Sequence, residues 1–294
     1  MATKYWTNGA GDGSISNASN WSPSGAPSAS DVLIFAESPA GATSSDVVGG
    51  DYTSLGTLGE IRIGAGFTRS FGSSSSFVKI IADQVVSDSG GVVYLDVDCN
   101  TATSKVVVTG GASAITFFYL KGDVQELRIT GGSGTVEVQA ATGFSPGSGY
   151  TEVDAVVISS APDVILSIEG NVSSNDTISI DSGVINSSCA VGTLDMYGGD
   201  FTQSGTGALT AVNVYGNSYF KHKGTGTITT LTVSNGTAEF RDNQSDGVTV
   251  TNATVNGGVI DLSNSLQNIT FTNNITSNGG TILPPLGGTV AISY

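Results

Sequence analysis

From residue 194 onward the apolar positions of the chain recur in a fixed pattern. With an anchor x, a partner at x+2 and a third residue at x+7, the triplets are Leu194/Met196/Phe201, Val212/Val214/Tyr219, Leu231/Val233/Ala238, Ala253/Val255/Ile260 and Ile275/Ser277/Ile282. The anchors are 18, 19, 22 and 22 residues apart. Residues x and x+2 share one face of a strand because side chains alternate along extended backbone. Asn213, Thr232 and Thr254 between them therefore point to solvent. A glycine turn follows, Asn-Gly in three copies (Asn235-Gly236, Asn256-Gly257, Asn278-Gly279), where Gly and Asn accept positive φ at little cost. A second strand starts inward at x+7, with Glu239 and Asp261 following on the outside.

A second corner is Gly205-Thr206-Gly207, Gly224-Thr225-Gly226 or Asp246-Gly247. A short third strand then places Leu209, Ile228 and Val250 inward, three residues before the next anchor, while Phe271 lies four before Ile275. A period near twenty made only of strand and turn signals predicts a solenoid, its coils stacked at roughly 4.8 Å. The expected fold is all-β: a single-domain, right-handed parallel β-helix with three strands per coil. Its core ladder is Leu194, Met196, Val212, Val214, Leu231, Val233, Val255, Ile260, Ile275 and Ile282. An amphipathic helix is excluded by 41 glycines and an apolar spacing of two. An antiparallel sandwich is the nearer rival, because Asn-Gly also marks hairpins. Hairpins do not require two corner types in fixed order every twenty residues.

Upstream the period is looser. Ile61/Ile63 is the first regular anchor pair, followed by a corner at Ser73–Ser76 and strands near Val78–Ile81 and Val92–Val97. Anchors continue at Val106/Val108 with Ile115, Leu127/Ile129 with Val136, Val156/Ile158 with Ile165, and Ile178/Ile180 with Ile185. The corners Gly110-Gly111 and Gly131-Gly132 are longer, and Phe144–Tyr150 reads as an inserted loop. This gives about ten coils and a rod of roughly 50 Å. The organisation expected is a cap and loop over 1–60, the β-helix over 61–283 and a closing segment over 284–294. Pro284-Pro285 stops the paired strand there.

Composition changes the picture in three ways. The chain carries a net charge of −15 with a pI near 4.1, which disfavours nucleic acid and anionic membranes as partners. Only 12% of residues are charged, so the exterior is largely Ser, Thr and Asn, and the regular Val/Ile/Leu alternation argues against disorder. Cys99 and Cys189 have no metal-like neighbours and are expected as buried free thiols. Neither a secretory h-region after Met1–Trp6 nor an apolar run of spanning length is visible, so export is not expected. Asn-x-Ser/Thr at Asn171, Asn186, Asn235, Asn252 and Asn274 follows from composition and implies no glycosylation without export.

Residues 1–36 do not repeat and hold both tryptophans: Tyr5-Trp6, Asn20-Trp21-Ser22-Pro23, Pro27 and Asp31–Phe35. A solenoid's first coil exposes backbone and core, so it needs a lid. Trp6, Trp21, Pro23 and Phe35 are the candidate cap and docking residues. Their order resembles the segment that opens β-helical passenger regions of bacterial surface proteins. It is also similar to the opening segment of β-helical proteins of phage virions.

Candidate chemistry is sparse. Glycoside hydrolysis needs two carboxyls about 5 or 6.5–9.5 Å apart, a spacing one coil step can supply. Asp195 with Asp200, and Asp176 with Asp181, are the candidates, though neither pair sits in a motif. Asp96 and Asp98 share one strand face; two carboxylates fall short of the six to eight oxygens calcium takes, so a solvated face is expected. His222, the sole histidine, lies in Lys221-His222-Lys223 without a Cys or Ser partner and reads as a solvated basic spot. No catalytic, cofactor or metal residues are assigned. Tyr197 and Tyr215, both at x+3, are the one stacked aromatic pair that can be foreseen.

The resemblance to phage β-helical proteins implies a non-enzymatic virion structural protein, of the capsid decoration or short spike and fibre type. It would dock on the major capsid protein or other virion proteins, be made in the host cytoplasm and stand exposed on the particle. Such proteins are often homotrimers, which is analogy. The alternative is a tailspike domain that binds or cleaves a host surface polysaccharide. A bacterial adhesin passenger comes second, and would need an export signal and membrane barrel outside this sequence.

Overall fold

The computed structural model describes residues 1–35, 46–99, 104–109, 116–130, 133–139, 151–159, 163–168, 172–241, 247–265, 269–285 and 290–292. Ile115, Gly110-Gly111, Gly131-Gly132, the Phe144–Tyr150 loop and Asp246 lie outside the described residues, as do the side chains of Val136 and Asp176. The fold is all-β, with parallel sheets wound into a β-solenoid of about eight turns rather than ten. Among the described residues helix is confined to two single turns, Ala18–Asn20 and Thr53–Leu55. The chain forms two compact units, Met1–Val153 and Asp154–Tyr294.

In the first unit one sheet stacks Thr3–Trp6, Val32–Phe35, Glu60–Ile63, Gln84–Ser87, Lys105–Val108 and the end of Thr116–Thr130, all parallel. The register aligns Leu33, Ile61, Val85, Val106 and Leu127 in one column, every one buried. Parallel pairing thus begins within the segment assigned to the cap. The second sheet stacks Val78–Ala82, Val93–Cys99 and the start of Thr116–Thr130.

The second unit contains the strong repeat. One sheet places Ile178, Leu194, Val212, Leu231 and Ala253 in one column, and Ile180, Met196, Val214, Val233 and Val255 in the next. These ten side chains are buried. The other sheet aligns Ile185, Phe201, Phe220, Ala238, Ile260 and Ile282.

Three details depart from expectation. First, the coils through Val255 have two sheet strands each, because the short third strand is fused to the first, whereas the last coil keeps Ile269–Phe271 and Thr276–Ser277 apart. In Leu209–Tyr215 and Ile228–Ser234 the buried positions run 209, 212, 214 and 228, 231, 233. The skipped residues Thr210, Thr229 and Thr251 have no ladder partner, so the corner is a single-residue bend repeated in these successive rungs. Second, the inward residue after Val214 is Phe220, not Tyr219. Four residues separate Val214 from Tyr219, whereas three separate Val233 from Thr237, and one extra residue exchanges the two faces. Ile165 fails likewise: it is exposed and Leu166 points inward. Third, Ile282 keeps its register with Ile260 yet is 36% exposed, and Ile275 is half-exposed, because no further full coil covers them among the described residues.

The strand Val290–Ile292 closes part of this end, pairing parallel with Ile269–Phe271. Phe271 occupies the column position of Val250, as the four-residue offset from Ile275 implies.

Candidate functional site

The N-terminal lid is built from two antiparallel strands. Thr3–Trp6 adds a parallel rung to Val32–Phe35, and Trp21–Ser22 pairs antiparallel on its outer side. Trp6, Trp21 and Phe35 form a triangle of rings with centroids 5.2–5.5 Å apart, and Phe35 continues to Phe71 at 5.0 Å. All three are buried, and Trp21 Nε1 donates to the Ile15 carbonyl at 2.7 Å. Asn20, fully buried, donates to Asp12 and Ser14 and accepts from Ala10 N, holding the loop over these rings. Asp31 accepts from Ala2 N and from Ser28, stitching the chain start to the first full rung.

This arrangement corrects the expected docking role of Trp6, Trp21 and Phe35. They are an internal plug, because packing against one another and Phe71 removes their faces from any partner. Pro23 is exposed, and its carbonyl accepts from Lys4 Nζ at 3.1 Å.

On the outer flank of the second unit, Tyr197 and Tyr215 stack at 5.3 Å with an interplanar angle of 12°. Their strands are neighbouring rungs, so the residues after Met196 and Val214 lie one above the other. Tyr197 is 59% exposed. Beside them Asn213 Nδ2 donates to Asp195 Oδ1 at 2.8 Å. Burial raises the Tyr215 hydroxyl above its ordinary range, with smaller contributions from the Asp195 charge and Tyr197. An aromatic platform flanked by a carboxylate and an amide is a surface on which a planar or sugar-like face can stack while its hydroxyls find acceptors.

Of the two expected carboxylate pairs, Asp176 with Asp181 cannot be placed, because the Asp176 side chain lies outside the described residues, and Asp195 with Asp200 does not form. Asp195 lies on one sheet and Asp200 on the other, so a corner separates them. Register instead places Glu239 beside Asp261, with Lys221 one coil before. Their alternation on one strand face was visible in sequence; their stacking depended on the coil lengths. Glu239 is not the solvated residue expected, since it is 1% exposed. It takes an ion pair from Arg241 and a hydrogen bond from Asn264 Nδ2 at 2.7 Å. Arg241 and Asn264 occupy the approach to it, which opposes a role as a general acid.

His222 is also corrected. It is buried in the column Ser187, Gln203, His222, Phe240, with ring centroids 5.9 Å from Phe240 and 6.2 Å from Phe220. The residue alternates inward because the preceding turn carries the extra residue that also turned Phe220 inward. Neither ring nitrogen has a hydrogen-bond partner of normal geometry. Burial pushes its pKa down to about 4 against a weak opposing pull from the Gly226 backbone. Below it Gln203 Nε2 donates to the carbonyls of Cys189 and Gly207.

Cys99 and Cys189 are buried and form no disulfide; Cys189 Sγ lies 3.1 Å from Ser187 Oγ, and burial pushes the Cys99 thiol up to about 12. Asp96 is buried rather than solvated and lies in register with Lys79 and Tyr119. Among the described residues no three His, Cys, Asp or Glu side chains gather as a metal site.

The fold and its flank define a parallel β-solenoid whose second unit carries the Tyr197–Tyr215 step on its flank. Compared with protein-family models, curated proteins and solved structures, the chain matches none of them.

Proposed function

We propose that this chain is a non-enzymatic structural protein of a virion, a capsid decoration or short spike that docks on the shell. One observation carries the reading most directly. The buried columns of each unit are mostly Val, Ile, Leu and Phe held rung to rung by parallel ladders, while much of the second unit's outer face is short and neutral, such as Thr193, Ala211, Thr230 and Asn252 in register. A ladder of this kind resists local opening, because any rung can leave only by breaking pairing on two sides. The buried Glu239 and the separation of Asp195 from Asp200 favour scaffold over catalyst.

The expected result is incorporation of the full chain into purified particles, seen as density by cryo-electron microscopy. Deletion of residues 1–36 should abolish it, and normal incorporation of the deletion would refute the docking role. Because deletion also removes the plug over Phe71, Ala26→Glu, at an exposed position of the same segment, provides a second arm: the folded variant should be incorporated less.

The stacked tyrosines favour a second reading, a spike that binds a surface glycan. Tyr197→Ala should then lose at least tenfold in affinity for a glycan selected on an array, while remaining folded. Absence of any binder on the array removes this reading.

A further inference from the structure

The Tyr197–Tyr215 step has a charge pattern as well as a shape. Tyr197 N donates to the Ile180 carbonyl of the preceding coil, so Asp181 lies one rung before Tyr197 in the column that Tyr215 continues. Tyr215 covers one face of the Tyr197 ring, and the opposite face lies on the side of the exposed Asp181. Asp195 stands two residues before Tyr197, on the same side of the strand. Asn213 Nδ2 is engaged by Asp195 Oδ1, and Asp195 Oδ2 and Asn213 Oδ1 accept no other hydrogen bond among the described residues.

Cations are placed elsewhere. The only Lys and Arg of residues 154–294 are Lys221, Lys223 and Arg241, in or just after strands of the other sheet. Rungs stack at roughly 4.8 Å, so Asp181 and Asp195 both act on a group at the ring within the Debye length of about 8 Å at physiological salt.

We propose that this step takes an amino sugar, the apolar face of the sugar lying on the Tyr197 ring and its protonated amine meeting the Asp195 and Asp181 carboxylates. The inference rests on the glycan-binding reading of the same tyrosines and names the class of glycan. An aromatic face attracts a cation, and the side-chain oxygens next to the rings accept what an ammonium donates. A uronate or sulfated sugar would set like charge against Asp195 and Asp181 and be repelled. A neutral sugar would keep the stacking and forgo the charge. Beyond Asn213 the column continues as Thr232 and Thr254, so charge is read at one sugar unit and its neighbours meet hydroxyls.

Titration calorimetry of the full chain at pH ~5.5, where aspartates of ordinary pKa are ionised, tests this with a β-1,4-linked glucosamine oligomer, its N-acetylated counterpart, a uronate oligomer and pentalysine. The free-amine oligomer should bind at least tenfold tighter than the N-acetylated one, and the uronate oligomer more weakly than either. Asp195→Asn should shrink the amine preference at least threefold. Tyr197→Ala should weaken both glucosamine forms and leave pentalysine, which senses only the negative charge of the chain, within twofold. Circular dichroism establishes that each variant is folded. Equal or tighter binding of the N-acetylated or uronate oligomer would overturn the amino-sugar assignment and leave glycan binding standing. Pentalysine losing as much as the sugars on Tyr197→Ala would overturn it too, since the ring would then read charge without sugar. No binding by any oligomer would remove the glycan reading and this inference together.

Discussion

At the scale of single residues, alternation decides which substitutions the protein notices. Val233 is fully buried between Val214 and Val255, whereas its neighbour Thr232 faces outward beside Asn213 and Thr254. Val233→Asp places an unpaired carboxylate in an apolar column and should cost about 4 kcal/mol. Thr232→Asp should stay within about 0.5 kcal/mol. Urea denaturation of both variants checks this, and equal losses would mean that the assigned faces are wrong. His222 provides a pH test. Its folded pKa, about 4, lies below the ordinary 6.5, so the unfolded chain binds the extra proton first as pH falls. The associated stability is complete above pH ~6.5 and is lost between there and pH ~4, amounting to about 3 kcal/mol at the acid end. His222→Phe should remove that component of the acid slope. The comparison is the difference in urea midpoint between variant and parent at pH 7 and pH 4.

At the scale of elements, two glycine roles that look alike in sequence separate in space. Asn235, Gly257 and Gly279 have positive φ of 64°, 80° and 97°, so the three Asn-Gly pairs do not superpose: Asn235 takes the strained position in its own coil and glycine takes it in the next two. Gly226 is needed for a different reason. A Cβ built there would lie 2.0 Å from the Gly207 carbonyl oxygen, because corners stack directly on corners. Gly226→Ala should therefore cost about 2 kcal/mol or more, while Thr225→Ala between the two glycines should be nearly silent. Denaturation midpoints for the two variants check it. The lid follows the same logic of covering. Trp6, Trp21 and Phe35 were legible as cap residues because both tryptophans fall in the one segment that does not repeat. That they point inward, rather than toward a partner, follows from the antiparallel pairing of Thr3–Trp6 with Trp21–Ser22, which sequence does not show.

At the scale of the whole molecule, the sequence by itself determined the class of fold. A hydrophobic period of two inside a repeat near twenty, with glycine corners, admits little besides stacked parallel coils. It also determined the core columns wherever turn length is constant, and the Tyr197–Tyr215 stack, since both residues follow their anchors by the same offset. Only the tertiary structure decided what depends on counting through a turn. One additional residue after Val214 exchanged Tyr219 for Phe220 and carried His222 from the expected surface into the core, because a strand has just two faces. Coil length likewise decided that Glu239 stands over Asp261, whereas the local Gly198-Gly199 turn is what parts Asp195 and Asp200 to different sheets. Pairing across coils is set by the sum of all residues between them, and local pattern does not carry that sum.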